Sequence, residues 1–167
     1  MRGGRFLSPD RKLVAVGSGN VVTISIAPDG QVVKRLAGAT EEITAIAWSP
    51  DGGTLASADF SGKIRNWDLA SGKLVAVFES SGVTRFLAWS PNGEMLASGL
   101  AEGTVILFDP ATGREIRNLE LGNSHPGLES LVWNPNSVLL TAVYEDGTRV
   151  WDVVTGAVIS QSLVIRR

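Results

Sequence analysis

The chain has 167 residues, of which 44% are hydrophobic, so it is long enough to bury a core. Its net charge of −2 at pH 7 gives no broad basic field, which argues against nucleic acid or an anionic membrane as a partner. The absence of cysteine excludes thiol catalysis, thiolate metal sites and disulfide bonds.

Short apolar runs, each closed by a turn, predict strands along the whole chain. In the first unit we expect strands at 13–16, 21–26 and 31–36, preceded only by a stub at 5–7 in place of an inner strand. The second unit is more regular, with four runs between residues 43 and 78 that are rich in β-branched and aromatic residues. Pro-Asp-Gly and Ser-Gly turns separate these runs, so one unit is predicted to be a four-stranded antiparallel meander.

Two markers recur at a fixed spacing. One is a polar residue followed by proline, which returns after 41, 41 and 44 residues at Ser8-Pro9, Ser49-Pro50, Ser90-Pro91 and Asn134-Pro135. The other is an aromatic residue followed by aspartate, which returns after 41 and 43 residues at Trp67-Asp68, Phe108-Asp109 and Trp151-Asp152. We expect Ile24-Ser25 to take the place of this second marker in the first unit. A period of this length predicts a fold built from stacked repeats.

With these markers the chain resembles the WD-repeat β-propeller family, whose units end in a Trp-Asp pair and carry a Ser-Pro-Asp-Gly turn after the innermost strand. The resemblance implies an all-β fold, a β-propeller of four-stranded antiparallel blades, with about four blades present. The predicted blades are 6–36, which lacks most of its inner strand, 37–79, 80–120 and 121–163.

Four blades raise a question of closure. Propellers close with roughly four to eight blades, and those of the resembled family most often have seven, so four such blades make an arc with apolar end faces. We favour a fragment of a longer propeller, because a start inside a longer array produces a clipped first strand. The alternatives are two chains that pair as a homodimer and four blades that close alone.

The recurring aromatic residues are predicted to form the core between blades, because repeat units bury their faces against their neighbours. Trp48, Trp89 and Trp133 lie at the ends of inner strands, and Trp67 and Trp151 lie on third strands. A carboxylate that follows each third strand is expected to bind its own turn through hydrogen bonds. These carboxylates are Asp68, Asp109 and Asp152.

No catalytic residue, metal ligand set or cofactor is predicted. The family often carries a Gly-His pair before the inner strand, whose histidine bonds towards an aspartate in the second hairpin. Here only the fourth unit has a histidine nearby, His125, and its hairpin offers Asp146 as the remnant of such a network. A lone histidine with no cysteine makes a transition-metal site improbable.

The resemblance implies a non-catalytic scaffold that presents loop faces to protein or peptide partners. Exposed aromatic residues beside charged ones suit such an interface, and the candidates are Glu42, Phe60, Arg85, His125, Tyr144 and Glu145. Alternatively, Phe60 and Tyr144 pack over their own hairpins.

Two rival functions remain open. One is a lactonase-like hydrolase with a central metal, and the other is a self-assembling half propeller with a structural role. The first residues contain no apolar secretory core and no run approaches 18 apolar residues, so we expect a soluble cytoplasmic protein.

Overall fold

The computed structural model describes residues 4–119 and 127–163, and this part of the chain forms four antiparallel sheets of four strands each. We call the sheets blades 1 to 4. Blade 1 contains β1 (Arg5–Leu7), β2 (Leu13–Ser18), β3 (Val21–Ile26) and β4 (Val32–Ala37). Blade 2 contains β5 (Ile43–Trp48), β6 (Thr54–Asp59), β7 (Lys63–Asp68) and β8 (Leu74–Glu79).

Blades 3 and 4 repeat the same order of strands. Blade 3 contains β9 (Thr84–Trp89), β10 (Leu96–Leu100), β11 (Val105–Phe108) and β12 (Glu115–Leu119). Blade 4 contains β13 (Leu128–Trp133), β14 (Leu139–Tyr144), β15 (Gly147–Asp152) and β16 (Val158–Leu163). The predicted all-β fold of propeller blades is confirmed, including the short first inner strand, in which three residues are exposed. No helix in the described ranges is long and apolar enough to cross a membrane.

The polar residue that precedes each repeated proline closes the turn between the first and second strands. In blade 2 the Ser49 hydroxyl donates to the Asp51 carboxylate and accepts the backbone N–H of Thr54 at 2.9 Å. Ser8 and Ser90 make the corresponding bonds, and in blade 4 the side chain of Asn134 accepts the N–H of Leu139. The repeat marker therefore marks a turn whose donors and acceptors are satisfied locally.

The core lies between successive blades rather than inside any one of them. Within the described residues, three clusters of buried apolar side chains join blade 1 to blade 2, blade 2 to blade 3, and blade 3 to blade 4. The blades thus pack in sequence order, and their strands are not closed into a barrel. Because each middle blade packs against two neighbours, its second and third strands are buried on both sides.

The aromatic residue of each third strand faces the preceding blade. Trp67 packs with residues of blade 1, Phe108 with residues of blade 2 and Trp151 with residues of blade 3. In blade 1 the strand register puts Ser25 in this position, since Ser25 lies opposite Val14 as Trp67 lies opposite Leu55. The predicted pair Ile24-Ser25 is thus displaced by one residue, and Ile24 faces blade 2 instead.

The tryptophans at the ends of the inner strands link neighbouring blades by a hydrogen bond. Each indole N–H donates to a backbone carbonyl on the inner strand of the preceding blade, at 2.9 Å from Trp48 to Phe6, 3.2 Å from Trp89 to Ala47 and 3.0 Å from Trp133 to Ala88. These rings are only partly buried. They pack against the three interblade clusters from the side, so they border the predicted core without being fully buried in it.

This link supports a prediction about Trp89. Replacing Trp89 by phenylalanine keeps an aromatic ring but removes the donor to Ala47, so we expect the free energy of unfolding to fall by about 1 kcal/mol. Chemical denaturation of the purified chain measures this change. The same substitution at Trp133 serves as a second test of the repeated link, and unchanged stability in both variants would show that the indole bonds contribute nothing.

Candidate functional site

A groove lies between blades 2 and 3 at the end of the sheets that we call the link face. This face carries the links between blades and the hairpins between the second and third strands of each blade. The link between blades 2 and 3 is formed by residues 80–83, and the two hairpins are formed by residues 60–62 and 101–104. The groove has a volume of about 430 Å³. We call it the Phe60 groove, and it is lined by Thr44, Phe60, Val83, Arg85, Phe86 and Ala101.

Phe60 is the exposed aromatic residue of this groove, with 56% of its surface accessible. It is the first residue of the hairpin after β6, and its backbone N–H donates to the carbonyl of Glu42 at 2.9 Å. The hairpin turns at Gly62, whose φ of +85° favours glycine. With its backbone fixed in this way, the Phe60 ring lies on the surface next to the first residues of blade 3.

Asp59 and Arg65 form a buried ion pair beneath the same hairpin. The Asp59 carboxylate accepts the Arg65 guanidinium at 2.6 Å and the backbone N–H of Ser61 at 3.0 Å. Burial alone would raise the pKa of Asp59, but the Ser61 hydroxyl and the Arg65 guanidinium together hold it below its ordinary value. The carboxylate therefore stays charged and holds the hairpin in shape.

Arg85 supplies the cation of the groove. It is the second residue of β9, where blade 2 has Thr44, and its side chain is exposed. Within the described residues it makes no ion pair. A guanidinium without a carboxylate partner keeps all five of its N–H donors available for another molecule.

Two glutamates flank the groove. Glu42 is exposed and shares a backbone hydrogen bond with Phe60. Glu102 follows Ala101. One of its carboxylate oxygens lies against Gly82, in the link between blades 2 and 3, only 2.8 Å from the position that a Cβ atom would take on that glycine. An exposed glutamate therefore belongs to the segment on each side of the apolar surface.

Tyr144 is not available to a partner, contrary to its selection as a surface candidate. It is only 3% exposed, its hydroxyl donates to the carbonyl of Gly103 at 2.9 Å, and burial raises the pKa of that hydroxyl. Its ring packs edge-on against Trp151 and beneath the guanidinium of Arg149. Tyr144 thus joins blade 4 to blade 3, while the next residue, Glu145, is exposed and donates its backbone N–H to Gly127.

His125 lies outside the described residues. Its suggested partner, Asp146, is bound by Arg149, whose two terminal nitrogens donate to the two carboxylate oxygens at 2.7 Å each. These bonds hold the pKa of Asp146 below its ordinary value. Both oxygens of Asp146 are thus already bonded within its own hairpin.

The repeated aspartates after the third strands bind their own turns. The Asp68 carboxylate accepts the N–H of Ser71 at 2.7 Å, and Asp109 and Asp152 accept the corresponding bonds of their turns. The hydrogen bonds of Ser71, Thr112 and Thr155 lower the pKa of the respective carboxyl groups. Across residues 4–119 and 127–163, no three side chains of the His, Cys, Asp or Glu type lie together as metal ligands.

Two separate segments of the chain match models of known protein families. Residues 30–68 match a family model described as WD domain, G-beta repeat, and residues 79–127 match one described as anaphase-promoting complex subunit 4 WD40 domain. The chain belongs to the WD-repeat family. Repeats of this family typically mediate interactions between proteins or with peptides, and the family is generally non-enzymatic.

One relative of this WD-repeat chain is described as an uncharacterized WD repeat-containing protein of Synechocystis sp.. It is 36% identical over 70 residues, a segment that covers 41% of this chain and 20% of the relative. The match therefore spans about a fifth of the length of that relative.

The groove contains residues that the sequence did not single out. The sequence predicts Phe60 and Arg85 as interface residues because they lie in predicted loop segments next to charged or aromatic residues. Val83 and Ala101 are small apolar loop residues that carry no such signal. Ala101 occupies the same place in its hairpin as Phe60, since both donate a backbone N–H to the link before the inner strand. The alignment of the repeats shows that Phe60 and Ala101 are equivalent positions, but only the packing of the blades shows that the two residues line one groove.

Proposed function

We propose that this WD-repeat chain is a non-catalytic scaffold that binds a protein or peptide segment in the Phe60 groove. The observation that supports this proposal most directly is an exposed phenylalanine beside an apolar cleft between two blades. Large aromatic residues that are partly exposed in the free protein are the usual centres of binding energy in protein interfaces. Arg85 adds N–H donors that suit the carbonyl oxygens of an extended segment.

Two features of the described residues favour binding over catalysis. Three aspartates that could serve a hydrolase, Asp59, Asp68 and Asp146, are engaged in their own turns or ion pairs. The groove itself is lined by apolar side chains together with one threonine and one arginine, which contains no nucleophile paired with a base. We also propose that the protein acts in the cytoplasm, where its lack of cysteine is compatible with a reducing environment.

The test uses a library of random 12-residue peptides displayed on phage and selected against the immobilised chain. Peptides that are enriched are synthesised with a fluorescent label, and their affinity is measured by fluorescence anisotropy. Replacing Phe60 by serine is expected to weaken binding at least about tenfold, because loss of a central aromatic contact removes a large share of the binding energy.

The matched control is Val154, which is 69% exposed in a turn at the opposite end of blade 4. Replacing Val154 by serine removes a similar kind of exposed apolar side chain and is expected to leave the affinity unchanged. Failure to select any peptide, or equal binding by both variants, would show that the Phe60 groove is not the binding site.

A further inference from the structure

We propose that the segment bound in the Phe60 groove is cationic, with one apolar side chain seated against Phe60 and lysine or arginine residues on both sides of it. This inference deepens the proposed function and rests on it. It follows from the distribution of charge around the groove, which neither the family nor the relative indicates.

The link face carries an excess of exposed carboxylates. Among its described ionisable side chains, Arg85 is the single cation without an ion-pair partner. Four glutamates also have no ion-pair partner, namely Glu41, Glu42, Glu102 and Glu129. The other described cations of this face, Lys63, Arg65 and Arg149, are already paired with carboxylates. The described residues of the link face therefore carry more unpaired negative than positive charge, although Arg85 lines the groove itself, and this excess favours positively charged segments.

Two of these glutamates belong to the chain segments on either side of the groove. Glu42 is bound to Phe60 through the backbone, so it lies on the side of blade 2. Glu102 belongs to the blade 3 hairpin, and its carboxylate covers Gly82 in the link that leads to Val83. A segment that seats a side chain on the apolar lining between them brings its flanking residues near both glutamates.

The apolar lining leaves room for a large side chain. Phe60, Val83, Phe86 and Ala101 provide the apolar surface, and a volume of about 430 Å³ lies between them and Thr44. An aromatic or branched aliphatic residue is suited to this space because burying its apolar surface favours binding. Arg85 is placed to donate to backbone carbonyl oxygens of the segment, so its charge does not require an acidic residue in the ligand.

The test asks for the composition and salt dependence of the peptides that depend on Phe60. Among clones that the Phe60→Ser variant no longer binds, we expect lysine and arginine to be enriched within three residues of an aromatic or aliphatic anchor. The affinity of these peptides is expected to fall at least about fivefold between 50 and 500 mM NaCl, because salt screens exposed charges.

Charge substitutions separate the role of the glutamates from a structural one. The double variant Glu42→Gln with Glu102→Gln is expected to weaken binding of a selected cationic peptide at least about fivefold and to leave a version with neutral flanks unchanged. Glu115→Gln is the matched control, because Glu115 is exposed on an outer strand away from the groove. The double variant Glu42→Lys with Glu102→Lys is expected to prefer the same peptide with its basic residues changed to glutamate.

The outcomes distinguish the two proposals. Peptides that depend on Phe60 but are acidic or neutral would overturn the cationic partner and leave the binding groove in place. A binding preference that the glutamate substitutions do not change would also overturn it. If no enriched peptide depends on Phe60, the proposed function itself fails.

Discussion

Replacing Trp67 by alanine is expected to lower the free energy of unfolding by about 3–5 kcal/mol. Trp67 is 4% exposed and packs against the blade 1 face that contains Ile24 and Leu36. Its indole N–H donates to the buried hydroxyl of Ser57 at 2.9 Å, so the substitution leaves a cavity and an acceptor without its donor. Urea denaturation followed by the fluorescence of the remaining tryptophans measures the change.

Two further variants show which part of Trp67 matters. Trp67→Phe keeps most of the apolar contact and loses the hydrogen bond to Ser57, so its effect is expected to lie between those of the wild type and the alanine variant. Val75→Ala removes an apolar side chain that is 49% exposed on the outer strand of the same blade, and a change within about 0.5 kcal/mol is expected. A loss below about 1 kcal/mol for Trp67→Ala would place the ring outside the core.

The repeat spacing was sufficient to predict the blades, but it did not show that the recurring tryptophans differ in how deeply they are buried. Trp48 and Trp67 belong to the same blade and both recur. The indole of Trp48 is only partly buried and donates a hydrogen bond to the inner strand of blade 1, whereas the indole of Trp67 is buried. The difference depends on which strand carries the ring and on how close the preceding blade lies. Since both faces of a middle blade are buried, alternation of apolar and polar residues along the strand contains little of this information.

A shift of one residue at the end of a second strand separates the two aromatic loop candidates. Tyr144 is the last residue of β14 and pairs with Leu128, as Asp59 at the end of β6 pairs with Ile43, so the two residues occupy the same position and both are buried. Phe60 is one residue further along and lies on the surface. Because successive residues of a strand point to opposite sides, two aromatic residues that look equivalent in a loop sequence have opposite environments.

Replacing Asp59 by asparagine is expected to lower the free energy of unfolding by about 3–5 kcal/mol, because it leaves the buried guanidinium of Arg65 without a counter-charge. Both side chains are at most 5% exposed, and they are joined at 2.6 Å. Blade 3 shows an alternative solution at the same two positions, where the strand register puts Leu100 and Ile106. The double variant Asp59→Leu with Arg65→Ile copies that pair and is expected to be more stable than either single variant.

The pH dependence of stability provides an independent test of this ion pair. Asp59 has a pKa below its ordinary value of 3.8 in the folded protein, so its charged form stabilises the fold above that pH. The contribution is lost as the pH falls from 3.8 through the lowered pKa, and the difference in stability between the wild type and Asp59→Asn is therefore expected to be constant near neutral pH and to shrink in acid. Denaturation curves of both proteins between pH 7 and the acid limit of folding measure it. A difference that stays the same below pH 3.8 would mean that the folded protein gains nothing from the charge on Asp59, and that Asp59 contributes to stability through packing and neutral hydrogen bonds instead.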